Sequence, residues 1–287
     1  MAAVIPFGSA LFLFLSAFPA AAQAPLSIQP VRPGVYWAGG GGGANTGIII
    51  GRNEVVVIDA KMTAESARAM LAEIGKLTPN PVKCVVLTHS DGDHVNGLAG
   101  FPKGLRIVSH ANARGDMEQA FKGANQEALP AWLPNETLAA ATKAFDIAGV
   151  RIRLLHFGPA HTDGDLVMYL PDHKVAFTGD LIFVGRDPLI HLHKRGTASG
   201  LISTLRKLLE LDVETYIAGH AAPVSKADIR TLLASLEDKQ AKVKALIAQG
   251  GTLDEIRKEL GAPAPAAGKG GGRPGLIDAI YRDLAGK

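Results

Sequence analysis

Strand-length apolar runs alternate with helix-period segments along this chain, and three of the runs stop at a side chain able to bind a cation. Residues 82–87 lead into Thr88-His89, 174–178 into Gly179-Asp180, and the run before His220 into Ala218-Gly219. Further strand patterns lie at 34–38, 45–50, 55–59, 106–109, 145–156 and 166–170. Between 64 and 78, Ala67, Met70, Leu71, Ile74 and Leu77 fall at helical spacing, and 111–122 reads the same way. The last third is helical. Leu201, Ile202, Leu205, Leu208 and Leu209 share one face, Ser225 caps a helix carrying Ile229, Leu232, Leu233 and Leu236, and Thr252 with Glu255 forms a capping box. A short helix closes the chain at 276–284, after a Gly-, Pro- and Ala-rich loop at 261–275. Two strand-rich halves with helices between them predict two packed sheets with helices outside, an α+β fold.

The segment before the first strand has a different character. Residues 10–22 are almost wholly apolar and run into Ala20-Ala21-Ala22-Gln23-Ala24. An apolar stretch of this length before an Ala-x-Ala site predicts a cleaved leader at 1–24 and a periplasmic or secreted product with no membrane anchor left after cleavage. The competing reading is an uncleaved anchor or a hydrophobic first helix. The net charge of +3 is small for 287 residues and the basic side chains are scattered, which argues against a nucleic-acid partner. Cys84 is the one cysteine, so no internal disulfide can form, and its apolar setting predicts a buried small hydrophobe. The five glycines at 39–43 lie between two strands with no Gly-Lys-Ser/Thr after them, which predicts a mobile hairpin loop rather than a phosphate cradle.

Chemistry concentrates at 88–97. His89, Asp91, Asp93 and His94 place two imidazoles and two carboxylates within six residues, directly after a strand. Borderline metals such as zinc take imidazole nitrogen and carboxylate oxygen. Three more signals follow in order: His161 in a turn between strands, Asp180 after a strand, and Gly219-His220. Each alone reads as a turn or surface residue; together they form a series.

From about Val35 to His220 the chain resembles the metallo-β-lactamase superfamily, whose pattern is His-x-His-x-Asp-His, then a turn histidine, an aspartate after a strand, and Gly-His. The resemblance implies a four-layer αββα sandwich at 25–225, followed by a helical extension at 226–287. It also implies one or two zinc ions at the edge of the two sheets. His89, position 91 and His161 would hold the first metal and Asp93, His94 and His220 the second, with Asp180 bridging. One position departs: the second histidine of the pattern is Asp91 here. A third carboxylate would lower the charge of a two-metal site from about +2 to about +1. The shorter, harder ligand would weaken the first position or turn it toward iron or manganese.

The implied activity is metal-activated water attacking a carbonyl, with Asp93 or Asp91 orienting that water or passing on its proton. Asp59 and Thr88 are expected as acceptors behind the ligating histidines. His191 and His193, after Asp180, are expected to line the substrate cleft, and His110, His156 and His173 to be structural or surface residues. A β-lactam-like cyclic amide or ester is the leading small-molecule substrate, with a lactone or a glyoxalase II-like thioester as alternatives. A different class remains open: a non-catalytic metal-binding accessory protein.

Overall fold

The computed structural model of the protein describes residues 24–123, 129–139, 142–147, 149–262 and 274–286; the leader expected at 1–24 falls almost wholly outside them, as do residues 263–273 of the loop expected at 261–275. In chain order the elements are β1 (Ser27–Arg32), β2 (Val35–Gly39), β3 (Thr46–Ile50), β4 (Val55–Ile58), α1 (Ala64–Leu77), β5 (Val82–Val86), α2 (Gly92–Val95) and β6 (Arg106–His110). They continue with α3 (Ala111–Gly123), β7 (Glu136–Leu138), β8 (Thr142–Ile147), β9 (Val150–Leu155), β10 (Val167–Leu170) and β11 (Val175–Gly179). The chain closes with α4 (Ala198–Glu210), β12 (Thr215–Ala218), α5 (Lys226–Ala248), α6 (Leu253–Glu259) and α7 (Leu276–Ala285).

Seven strands form one sheet in the order β1-β2-β3-β4-β5-β6-β7, and five form a second in the order β12-β11-β10-β9-β8. The first sheet is antiparallel from β1 to β4 and parallel from β4 to β7. The second is antiparallel except for the parallel pair β11 and β12. The continuous apolar strands are explained by burial on both faces. In β4, Val56 and Ile58 join Cys84, Val86, Met168, Phe177 and Ile217 between the sheets. Val55 and Val57 face the other way, onto Ala67, Met70 and Ile74 of α1. On the far side, Val167 and Tyr169 of β10 and Tyr216 of β12 pack under Leu201, Leu205 and Leu208 of α4 and Ile229 and Leu236 of α5. The layers are therefore helix, sheet, sheet, helix, as expected. The C-terminal helices share the core of the second sheet, with Ile277 and Ile280 of α7 in the same cluster.

The stretch expected as β at 145–156 is divided between two strands, β8 and β9. Gly149, at φ 81°, lies in the turn between them, a conformation that a side chain would oppose. Strands β1 and β7 were not anticipated. Both lie at the edges of their sheet, and β1 is only half-buried, so neither carries a strong apolar pattern.

The glycine loop at 39–43 does join an antiparallel pair, but it is anchored rather than mobile. The fully buried Lys61 ammonium donates to the carbonyls of Ala38 at 3.0 Å, Gly40 at 2.9 Å and Ala44 at 2.8 Å. All three of its hydrogens have partners. Asn45 fastens the other end, donating from Nδ2 to the Ala218 and Ala221 carbonyls at 2.8 and 2.6 Å. Gly40 to Gly43 all take positive φ, which is why glycine is needed there. Nothing in the local pattern around position 61 marks a buried lysine. Among the described residues no helix is long and apolar enough to cross a membrane.

Candidate metal centre

The candidate ligand residues follow strands of both sheets. The first sheet supplies His89 and Asp91 just after β5 and Asp93 and His94 on α2. The second supplies His161 after β9, Asp180 after β11 and His220 after β12. Ligand atoms gather in three groups, each within 4.8 Å: His89 with His161 and Asp180, Asp93 with His94 and His220, and Asp91 with His161 and His191. The residues expected to form the centre are thus brought together.

Each inner histidine is turned by a partner behind it. Asp59, left-handed at φ 63°, accepts from His94 Nδ1 at 2.7 Å, from the Thr88 amide at 2.8 Å and from Thr88 Oγ1 at 2.8 Å. Because the Thr88 hydroxyl hydrogen goes to Asp59, the 2.9 Å contact between Thr88 Oγ1 and His89 Nδ1 has the imidazole as donor. His161 Nδ1 donates to the Leu189 carbonyl at 2.7 Å. All three rings spend the Nδ1 hydrogen outward and present Nε2 inward, the arrangement a ligating histidine requires. The turn holding His161 is itself fixed by buried Asp165, which accepts from the Thr162 amide at 2.9 Å and the Thr162 hydroxyl at 2.6 Å. Burial pushes the Asp165 carboxyl up.

Three buried atoms in this centre have no hydrogen-bond partner in the described structure: His89 Nε2, His94 Nε2 and Asp180 Oδ1. Unsatisfied buried polar atoms are costly, so a cluster of them needs an explanation. His94 Nε2 faces Asp180 Oδ1 at 3.3 Å. With Nδ1 already donating, a lone pair on nitrogen meets a lone pair on oxygen, and only a positive charge between them makes the contact favourable. Burial alone would lower the His94 pKa; Asp59 and Asp180 raise it well above the ordinary value, which marks the same demand for a cation. The donor set of imidazole nitrogens and carboxylate oxygens suits a borderline divalent metal. The residues therefore fit the metals that the ligand pattern implies.

His220, less buried, sits with Nε2 3.0 Å from Asp93 Oδ2 and 3.3 Å from Asp180 Oδ2, and these carboxylates, Asp180 foremost, raise its pKa to about 9. Gly219 must be glycine for a spatial reason. A Cβ there would lie 2.1 Å from Asp180 Oδ1 and 2.9 Å from His94 Cε1.

Asp91 has a setting that its sequence neighbourhood did not reveal. Its Oδ1 accepts from Lys194 Nζ at 2.6 Å, and its Oδ2 lies 2.7 Å from His191 Nε2, 3.2 Å from His161 Nε2 and 3.6 Å from His89 Nε2. Burial works against its charge, but the close approach of the His161 and His191 rings favours the ionised form and holds the carboxyl well below the usual range. The Lys194 ammonium also changes the charge count. With it, the local sum for two divalent cations and three carboxylates returns to about +2. Lys194 went unnoticed because it follows the His191-Leu192-His193 run as one more basic residue. A short turn at Leu192–Lys194 aims it back at Asp91.

His191 and His193 both line the cleft over the centre, with Asp93, Phe183, Arg186 and Lys194. The cleft encloses about 610 Å³. His156 and His110 lie apart from it, stacked on each other with ring centroids 4.1 Å apart. Burial and His156 lower the His110 pKa to about 4. Cys84 is buried between the sheets, where burial pushes its thiol up to about 12.

The family profile of the metallo-β-lactamase superfamily matches residues 39–220, and the chain belongs to that superfamily. Among curated relatives, the 2,4-dinitroanisole O-demethylase subunit alpha of Nocardioides sp. (strain JS1661) is 26% identical over 205 residues, covering 71% of this chain and 60% of the relative. A hydroxyacylglutathione hydrolase of Cereibacter sphaeroides (strain ATCC 17029 / ATH 2.4.9) is 31% identical over 177 residues, covering 61% of this chain and 60% of the relative. The chain thus spans about three-fifths of the length of these relatives. The solved structure of the stereoselective inverting sec-alkylsulfatase Pisa1 from Pseudomonas sp. superposes with a TM-score of 0.70 at 21% identity, over 91% of this chain and 50% of that one. This likeness shows that the fold is shared.

Proposed function

We propose that this chain is an exported metal-dependent hydrolase of a small anionic ester or thioester. The observation that carries the hydrolase reading is the set of unpartnered ligand atoms, His89 Nε2, His94 Nε2 and Asp180 Oδ1, beside a solvent-open cleft that Asp180 lines. A divalent cation held by these residues would lower the pKa of a water and polarise a substrate carbonyl.

The residues supply the rest. Asp93 borders the cleft, and although burial opposes its charge, His220 and His94 keep its carboxyl lowered and ionised at neutral pH. It can orient the attacking water and accept its proton. Asp91 is less free for proton transfer, because both of its oxygens are engaged by Lys194 and His191. Arg186 lines the same cleft and stacks over the Phe183 ring at 4.8 Å, placing a cation beside an apolar wall. That pairing suits a substrate with an anionic group and an apolar body. The cleft adjoins a second hollow of about 330 Å³ that shares Phe183 and Arg186 and runs to Leu232 and Leu236 of α5, which gives room for an extended acyl group. The likeness to a hydroxyacylglutathione hydrolase supports a thioester over a β-lactam. Export rests on the apolar leader of the sequence.

The test is a substrate panel on metal-loaded and chelator-treated protein: a glutathione thioester, an acyl-coenzyme A, a lactone, an alkyl sulfate and a chromogenic cephalosporin. Metal-dependent turnover of a thioester or lactone is expected. Turnover of the cephalosporin alone would replace the substrate, and silence across the panel in protein shown to hold metal would favour a metal-binding accessory role.

A further inference from the structure

We propose that His191 supplies the third imidazole of the first cation position, in place of the histidine absent at position 91. The inference rests on the metal-dependent reading above and goes beyond it in naming a ligand from a different loop.

The geometry centres on one oxygen. Asp91 Oδ2 lies 2.7 Å from His191 Nε2, 3.2 Å from His161 Nε2 and 3.6 Å from His89 Nε2. Three imidazole nitrogens from three segments therefore point into one small volume. The His161 ring sits 4.8 Å from that of His89 and 4.7 Å from that of His191, close to edge-on in both pairs. His161 and His89 have already spent their Nδ1 hydrogens on Leu189 and Thr88, so they bring lone pairs, not hydrogens, to this volume. His89 Nε2 is buried without a partner. Two lone pairs facing a carboxylate oxygen require a cation among them, and three imidazoles are a donor set that zinc accepts.

His191 is placed for this by the backbone. Its amide donates to the His161 carbonyl at 2.8 Å, and its own carbonyl accepts from the amides of Lys194 at 2.9 Å and Gly196 at 3.0 Å. The two histidines are thus coupled, and the ring is buried. Asp91 takes a different part. Its other oxygen is held by Lys194, which in turn donates to Ser90 Oγ at 3.0 Å. The substitution at 91 removes one imidazole from the loop after β5, and the segment 190–194 returns one from the opposite sheet.

Metal content decides the matter without reference to turnover. Purified protein and the variants His191→Ala, His191→Gly and Asp91→Ala would be saturated with zinc, dialysed and analysed for bound metal, with cobalt absorption spectra recorded in parallel. The expected result is two equivalents in the native chain, one in His191→Ala, and two in Asp91→Ala. Added imidazole should restore the second equivalent and the cobalt spectrum to His191→Gly, which a general loss of packing would not allow. Should His191→Ala fail to fold, His191→Asn decides in the same way. Two equivalents in both His191 variants, held against chelator as in the native protein, would overturn the inference and leave the hydrolase reading standing. A native chain that takes up no metal would overturn both.

Discussion

Asp91 Oδ1 and the Lys194 ammonium stand 2.6 Å apart at the edge of the metal centre, a contact between two sheets joined by residues 103 positions apart in sequence. The lysine both neutralises the extra carboxylate and puts a positive charge beside the first cation position. Lys194→Met removes that repulsion and frees a carboxylate oxygen. At a separation of several ångströms and an effective dielectric near 20, the change is on the order of 1–2 kcal/mol. Zinc should be held about tenfold more tightly, as read by competition with a fluorescent chelator; unchanged or weaker binding would contradict this role for Lys194.

Asp59 orients His94 and, through Thr88, His89. Asp59→Ala leaves both rings free to turn and Thr88 without its acceptor. Loss of such a partner costs about 10–100-fold in metal affinity. The same chelator competition checks it, with Asp59→Asn expected to lie between the variant and the native chain.

Arg186 provides charge at the cleft and touches no ligand group. Arg186→Ala should raise KM for an anionic ester at least tenfold while kcat falls less than threefold, the signature of an interaction made equally in ground and transition states, on the order of 1.4 kcal/mol or more. An equal fall in kcat would place Arg186 in the chemistry instead.

Lys61 closes the glycine loop. Burial lowers its pKa to about 8, partly offset by Asp59, and its three carbonyl partners need its hydrogens. Lys61→Met strands three acceptors, of which the loop can rehydrate some, so a loss of about 2–4 kcal/mol is expected. Thermal unfolding should fall by about 5–15 °C.

Cys84 should resist thiol reagents in the native state up to strongly alkaline pH, since only the thiolate reacts. Its folded pKa of about 12 lies above the unfolded reference of 9.0. The protonated form is favoured by the fold, so this contribution to stability is complete below about 9 and is lost as pH rises from there toward about 12. Chemical unfolding between pH 8 and 11 would show it as a stability difference between the native chain and Cys84→Ala that moves against the native chain as the pH rises.

Much of this site was legible because ligands at strand ends carry their own spacing. His89, Asp93, His94, His161, Asp180 and His220 stand out by residue type after an apolar run, and the runs themselves report burial on both faces. Lys61 and Lys194 were not legible, since a lysine's partner is set by which distant backbone or carboxylate folding brings to it. The anchoring of the glycine loop is a tertiary fact of the same kind. His191 lay between: it stood out as a cleft residue, but its approach to Asp91 depends on a 3-10 turn no pattern specifies. Strands β1 and β7 were missed because edge strands lack a two-sided apolar signature.

The ligand set is divided between the sheets, with positions 89–94 on one and 161, 180 and 220 on the other. An ion bound there would therefore act as a rivet through the molecule's midline, and its binding energy would add to the cohesion of the two halves. Scarcity of metal in the surroundings would then loosen the whole body, coupling the protein's lifetime to the supply of such an ion.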